Sequence, residues 1–277
     1  KVIKELNARN IHATVDYLGE NVTNPEEARF AAEEVARMFE IIEREGLRSN
    51  VSVKLSQMGL GFDEAVCKEN LQFLLSTASR YNNFLRIDME DSSMTEGTLK
   101  MYRWARSRGY DNVGVVIQSY LYRSVQDIED LSSLAVKVRL CKGAYKEPHT
   151  VAFPKKKQVD SNFDRITSML FDLVIKNDFP LISADRRIPP IPALATHDIK
   201  RIRYAQELAK RYNIPKQAYE FQLLYGIRRD IQEELVSNGY MVRVYVPYGT
   251  RWYPYFMRRL AERPANLWFF LSNFFQK

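Results

Sequence analysis

Short apolar runs followed by amphipathic stretches recur eight times along the 277 residues, and this alternation constrains the fold more than any other feature. The runs are 11–18, 51–55, 84–89, 113–120, 135–141, 193–197, 219–224 and 241–246. They are short and rich in Val, Ile and Leu, as strands covered by helices on their outer face should be. Helical patterns follow at 25–45, 63–80, 94–108, from about 125, 161–176, 199–212, 227–238 and finally from Pro254. Asn24 and Asp63 are residue types that cap helix N-termini, and Gly46 and Gly109 suit helix ends. Eight strand–helix pairs is the arithmetic of an α/β fold of the (β/α)8 TIM-barrel class. No linker or change of composition divides the chain, so 1–277 reads as a single barrel. An open doubly wound sheet is the competitor. It lacks support because neither G-x-G-x-x-G nor G-x-x-x-x-G-K-[ST] occurs, and Gly59 and Gly61 have no third glycine.

Chemistry in such a barrel sits at the C-terminal ends of the strands. Polar residues gather there: Asp16 and Glu20 after strand 1, Lys54 after strand 2, Asp88 in strand 3 and Gln118 ending strand 4. Arg139 and Lys142 bracket the end of strand 5. Thr196, His197 and Asp198 end strand 6, Glu220 and Gln222 belong to strand 7, and Tyr245 to strand 8. Singly, each has a dull explanation, such as a structural Lys–Asp pair or a hydrogen-bonding histidine. Together they argue for a polar ligand in the mouth, because burying charges without partners is costly.

The helix expected from Pro254 places Tyr255, Arg258, Arg259 and Glu262 on one face, at i, i+3, i+4 and i+7. Two adjacent guanidinium groups repel unless an anion lies between them or carboxylates flank them. A carboxylate or phosphate is the natural partner of that planar fork. A solvated face with an ordinary Arg–Glu pair is the competing reading.

Composition removes several function classes. Two cysteines and three histidines exclude a disulfide framework and a Cys/His zinc cluster, so no metal is expected and a reducing cytoplasm is. The opening residues carry no signal- or transit-peptide pattern. The net charge of +7 permits an anionic substrate, cofactor or membrane surface. The charge is dispersed, and the one run, Lys155–Lys156–Lys157, reads as a solvated loop, so nucleic acid is not expected as a partner. No Ser nucleophile elbow is present, nor a Cys/His pair at a shared strand end. Cations and hydrogen bonders around a Tyr-, Leu- and Phe-walled pocket suit an anionic organic cofactor and a carboxylate substrate.

Val-Arg-Leu-Cys-Lys-Gly-Ala-Tyr (138–145), Ala-Thr-His-Asp (195–198), Tyr-Glu-Phe-Gln-Leu-Leu-Tyr-Gly (219–226), Val-Tyr-Val-Pro-Tyr-Gly (244–249) and Tyr-Phe-Met-Arg-Arg-Leu (255–260) resemble the proline dehydrogenases of the monofunctional bacterial type. That family uses FAD to oxidise L-proline to pyrroline-5-carboxylate. The resemblance runs over essentially the whole chain. Lys146 and the Arg- and Pro-rich segment 181–192 depart from the usual pattern, which bears on cofactor-edge contacts. Segments 146–160 and 181–192, with so much Lys, Arg and Pro, are expected to be mobile.

The resemblance implies roles for individual residues. Arg258 and Arg259 would bind the proline carboxylate, with Lys54 as a third cation beside it and Asp88 offsetting the charge of Lys54. Leu224, Tyr245 and Tyr255 would wall the ring. Hydride would pass from proline C5 to flavin N5, with Arg139 near that edge favouring the reduced anionic flavin and Gln118 hydrogen-bonded to the isoalloxazine. Met89, Lys142, Gly143, Ala144, Thr196 and His197 would contact the rest of a non-covalent FAD. Lys142 would meet the pyrophosphate, and Gly143 would let the backbone approach. The last helix would sit over the C-terminal mouth of the barrel, not on its wall, and Glu20 would pair with Arg258 when the site closes.

Electrons would leave to a quinone or other membrane acceptor, and a pyrroline-5-carboxylate dehydrogenase would take the product. The cationic surface and the aromatics of 267–275 would then serve a peripheral contact at the inner face of the membrane. Packing of those aromatics onto the barrel is the competing reading. Two further classes stay open on the residues alone: an aldolase or lyase with Lys54 as Schiff-base amine, and a basic barrel binding nucleic acid with steep salt dependence. The gate has its own test. Glu20→Ala is expected to alter proline KM and turnover, and unchanged kinetics would remove Glu20 from the closing step.

Overall fold

Local signals start the helices. Asn24 accepts a hydrogen bond from Glu27 N at 2.8 Å, Pro25 occupies the first turn, and the helix Pro25–Arg44 (α2) follows. It buries Ala28, Ala31, Ala32, Val35, Phe39 and Ile42 along one stripe. Asp63 likewise caps Glu64–Arg80 (α4), accepting from Ala65 N at 2.7 Å. The small alanines of α2 let its backbone approach α4, its neighbour in the outer layer.

The structure is a computed structural model and describes residues 1–19, 22–134 and 136–249. The helix expected from Pro254, with Tyr255, Arg258 and Arg259, and its packing over the mouth lie outside the described residues. So does Glu20. The strands are His12–Tyr17 (β1), Ser49–Val53 (β2), Leu85–Ile87 (β3), Val113–Gln118 (β4), Lys137–Cys141 (β5), Pro192–Ala195 (β6), Glu220–Leu224 (β7) and Met241–Tyr248 (β8). Each pairs in parallel with the next, and β8 pairs with β1, closing the barrel. The remaining helices are Val2–Ala8 (α1), Leu55–Met58 (α3), Thr95–Ser107 (α5), Ser124–Leu131 (α6), Lys156–Lys176 (α7), Ile199–Arg211 (α8) and Arg229–Ser237 (α9). Among the described residues no helix is long and apolar enough to cross a membrane.

The strands and helices fall where the alternation places them, with instructive differences at the ends. β2 ends at Val53, because Lys54 already flanks the one-turn α3. β3 stops at Ile87, although Asp88 N still bonds Val53 O at 2.8 Å. α7 begins five residues before the expected start, so Lys156 and Lys157 form its first turn instead of a solvated loop. α1 was not expected at all. Arg9, at its end, pairs with Glu233 of α9, and Lys4 pairs at 2.7 Å with Glu45 beyond α2. It therefore stands between α9 and α2, the wall position that the eighth helix of a regular barrel would take.

Both segments expected to be mobile are tied down. The bottom of the barrel is covered by residues 183–191. Asn50 Nδ2 donates to Arg187 O at 3.0 Å, Arg243 Nη2 to Arg186 O at 2.9 Å and Lys137 Nζ to Pro189 O at 3.1 Å. Arg187 is itself buried and reaches Leu47 O and Glu43. At the top, Glu147 accepts from Ser92 N at 2.7 Å, and Phe153 N bonds Tyr120 O at 2.7 Å. Arginine and proline here supply donors and fixed turns to the barrel ends, which composition alone cannot distinguish from solvation.

Interior space is fully used. Arg86 of β3 is 1% exposed, lies 4.8 Å above the Phe84 ring and donates to the carbonyls of Lys137 and Val115. Burial pushes its guanidinium down to about 9. Gly114 of β4 makes room for it: a Cβ there would overlap Arg86 Nη1 and the Lys137 carbonyl oxygen and lie 2.7 Å from Phe84 Cζ. Gly114→Ala is expected to destabilise the fold by about 3 kcal/mol, at the upper end for overpacking, read as a lowered urea midpoint with unchanged slope.

Candidate active site

The inward-facing residues of adjacent strands form the site. The registers Thr14↔Asn50 and Asp16↔Ser52 bring β1 side chains beside those of β2, so Asp16 meets Lys54 just past the strand end. Lys54 Nζ lies 2.9 Å from Asp16 Oδ2, 3.8 Å from Asp88 Oδ2 and 3.3 Å from Tyr245 Oη. Arg139, from β5 on the far wall, is 5% exposed and uses three of its nitrogens. Its Nη1 donates to Asp88 Oδ1 at 2.6 Å, its Nε to Gln222 Oε1 at 2.6 Å and its Nη2 to Ser52 Oγ at 3.0 Å. Tyr245 donates to Asp88 Oδ2 at 2.8 Å, and the Arg139 guanidinium sits 5.4 Å from its ring centroid.

Two cations and two carboxylates thus interlock at the base of the mouth. Asp88 does lie within ion-pair reach of Lys54, as expected, but Asp16 is the closer carboxylate. β1 and β2 are neighbours, whereas Asp88 follows β3 and is engaged from across the barrel by Arg139 and Tyr245. Burial pushes the Asp16 carboxyl above its ordinary value, Lys54 pulls it back, and Asp88 pushes it up again. Burial, then the charges of Asp16 and Asp88, push the Tyr245 phenol well above its ordinary value. Tyr245 is therefore a donor at neutral pH, not a base. Carboxylates at 2.9 and 3.8 Å suit a charged Lys54 ammonium and disfavour the neutral amine a Schiff base requires.

Above this base lies a cavity of about 330 Å³. Among the expected residues, Lys54, Asp88, Met89, Gln118, Arg139, Lys142, Gly143, Ala144, Thr196, His197, Leu224 and Tyr245 all line it. Gln118 is 3% exposed; its Nε2 donates to Met89 O at 3.4 Å, while its Oε1 has no partner among the described residues. His197 Nε2 accepts from Leu224 N at 3.0 Å, tying β6 to β7. Lys142 is held by Asp160 and by Asp198 at 2.6 Å. Burial alone would raise Asp198, but the hydrogen bond and charge of Lys142 hold it down to about 2. Asp198 also caps α8 through Lys200 N. Gly143 has a φ of +106°, and the group pressed against it is the Tyr120 ring, so packing explains this glycine as well as any ligand would.

Asp16, Glu220 and Gln222, noted in the sequence as polar strand residues without an assigned role, belong to the site's wiring, as does Ser52, which the sequence reading misses. Their signal is the period of two: Asp16 follows Thr14, Lys54 follows Ser52, and Gln222 follows Glu220 on inward faces. Asp16→Ala is expected to destabilise the protein by about 3 kcal/mol, because it strands a buried ammonium. The double variant Asp16→Leu/Lys54→Met should recover most of that loss in the denaturant midpoint.

Comparison with known proteins fits this geometry. The sequence profile of the family described as proline dehydrogenase matches residues 1–271. Proline dehydrogenase 1 of Bacillus subtilis subsp. natto is 41% identical over 277 residues, covering 100% of this chain and 86% of that protein. The proline dehydrogenase of Deinococcus radiodurans is 37% identical, covering 99% of this chain and 84% of that one. Among solved structures, proline utilization A (PutA) of Bdellovibrio bacteriovorus, inactivated by N-propargylglycine, superposes with a TM-score of 0.81 at 25% identity. That alignment covers 94% of this chain and 30% of the longer PutA chain. With the closed eight-stranded barrel, its charged mouth and these matches together, the chain belongs to the proline dehydrogenase family.

Proposed function

We propose that residues 1–277, as one barrel catalytic domain, oxidise L-proline to pyrroline-5-carboxylate with a non-covalently bound FAD, the first step of proline catabolism. The observation that carries this reading is the guanidinium of Arg139, fixed by three partners at the floor of the cavity. The lining suits a flavin. Gln118 turns an unpartnered amide oxygen into the wall, Met89 and Ala144 offer apolar contact to a planar ring, and Lys142 supplies a cation for a pyrophosphate. When bound, FAD would supply the oxidising power for hydride transfer from proline C5 to flavin N5, with a quinone-type compound as the final electron acceptor.

The chain's own residues bind, orient and exclude water. Arg139 offers a permanent positive charge to the flavin edge that becomes electron-rich, and Asp88 and Gln222 keep it aimed without motion at the moment of reaction. Leu224 and the Tyr245 ring limit the space to a small cyclic imino acid. Lys54, Asp16, Arg139 and Asp88 balance one another in charge, so this base cannot by itself hold a carboxylate firmly. In this reading Arg258 and Arg259 supply the missing positive charge, Tyr255 closes the ring wall, and Glu20 pairs with Arg258 as the site shuts. The membrane acceptor, a peripheral contact at the inner face, and a pyrroline-5-carboxylate dehydrogenase downstream belong to the same proposal.

The purified protein should be yellow, and L-proline should bleach it under anaerobic conditions. A colourless protein trapped by borohydride on a carbonyl substrate would instead support Lys54 as a Schiff-base amine. Arg258→Met and Arg259→Met should each raise KM for proline by about tenfold or more, the cost of one charge-assisted hydrogen bond. Wild-type KM in both variants would remove the paired arginines from the substrate site.

A further inference from the structure

A line of side chains runs through the barrel interior beneath the cavity. Arg243 of β8 and Glu220 of β7 are both fully buried, and Arg243 Nε lies 3.0 and 3.2 Å from the two oxygens of Glu220. Glu220 Oε1 also accepts from Gln222 Nε2 at 2.5 Å. Gln222 Oε1 in turn accepts from Arg139 Nε at 2.6 Å. A carboxylate can only accept hydrogen bonds, and a guanidinium can only donate them. An amide held between the two has one orientation in which both contacts attract. The opposite orientation sets its oxygen against the carboxylate and its NH2 against the guanidinium.

We propose that Glu220 is a positioning residue for the oxidation, fixing the Gln222 amide and, through it, the plane and aim of Arg139. Glu220 does not line the cavity, and its hydrogen-bonded link to the lining runs through Gln222. Arg243 has acceptors besides Glu220, donating to Ala13 O at 2.8 Å and Arg186 O at 2.9 Å. Glu220 is the residue that gives the amide its direction. Without it the amide can turn over, Arg139 loses its Nε partner, and the guanidinium is steered only by Asp88 and Ser52. The inference rests on the reading that Arg139 faces the flavin.

Glu220→Gln keeps the side-chain shape but leaves Arg243 buried without a counter-ion, which can prevent folding. The double variant Glu220→Leu/Arg243→Met removes both charges together, keeps the net charge beneath the cavity unchanged, and is the one read for the flavin equilibrium. It is expected to bind FAD, to keep KM for L-proline within about threefold and to lose about tenfold in kcat, roughly one hydrogen bond to a charged group. The ratio of reduced to oxidised flavin, equilibrated against a reference dye, should fall by about tenfold, or about 30 mV for a two-electron couple. Gln222→Met should show the same shift, and combining it with the Glu220 change should add nothing further. Arg139→Lys separates the two levels of the reading. If it leaves the dye equilibrium and kcat unchanged, Arg139 does not face the flavin and both readings fall. If it moves them while the double variant or Gln222→Met stays within about twofold of wild type, Glu220 is only the ion partner of Arg243, and the positioning role is overturned.

Discussion

Charges placed inside a barrel must find opposite charges across it, and the pairing of Arg139 with Asp88 is where this requirement is most stringent. The two residues come from β5 and the end of β3, and each side chain is about nine-tenths hidden from solvent. Removing either would leave the other buried and unpaired, which costs several kcal/mol. Most barrels of this class fill the interior with branched apolar layers. Here Arg86, Arg139, Arg243, Asp16, Asp88 and Glu220 occupy inward positions instead. Gly114 makes room for Arg86 by strand register, Glu220 of the adjacent strand pairs with Arg243, and Ser52 meets Arg139 from across the barrel. The result is a polar interior in which Arg139 and Arg243 meet buried carboxylates and Arg86 meets backbone carbonyls.

The two ends of the barrel are treated differently. The floor is covered by the 183–191 segment, whose backbone carbonyls absorb donors from Asn50, Arg243 and Lys137. At the mouth the loops of the described residues are stitched to one another and leave a cavity at the centre. Glu90 accepts from Ser56 N at 2.9 Å, joining the loops after β2 and β3, and Glu147 accepts from Ser92, joining the loops after β3 and β5. Carboxylates on backbone N–H groups hold these loops without placing apolar bulk in the cavity. The cavity walls therefore stay firm while the space they enclose remains available to a ligand.

Membership in the proline dehydrogenase family accounts for a mouth of this kind, and the same barrel occurs within the longer PutA chains. Beneath the mouth the interior carries a continuous line of side chains from Arg243 through Glu220 and Gln222 to Arg139. A direction-fixing role for the Glu220 carboxylate gives that line a purpose, because an amide between a pure acceptor and a pure donor cannot turn without opposing both.

The number and order of strands and helices were legible in the chain because period-two and 3.6-residue patterns, caps and glycine stops are local. The polar residues of the mouth were legible too, since they end successive apolar runs. The two-turn α1 was not, because its pattern is too short to stand out, and its place is fixed by Leu6 in the core, Asn7 on the Arg48 backbone, and ion pairs to α9 and to the segment after α2. Nor was the partner of each charge. Asp88 is within ion-pair reach of Lys54, as the sequence suggests, but only barrel closure shows that Asp16 is the closer partner and that Asp88 also serves Arg139 and Tyr245. The Arg- and Pro-rich approach to β6 reads as a mobile segment in the sequence, whereas its carbonyls accept from donors at the barrel floor. Local periodicity fixes which face a residue occupies, whereas its partner depends on strand register and closure, which bring together residues far apart in the chain.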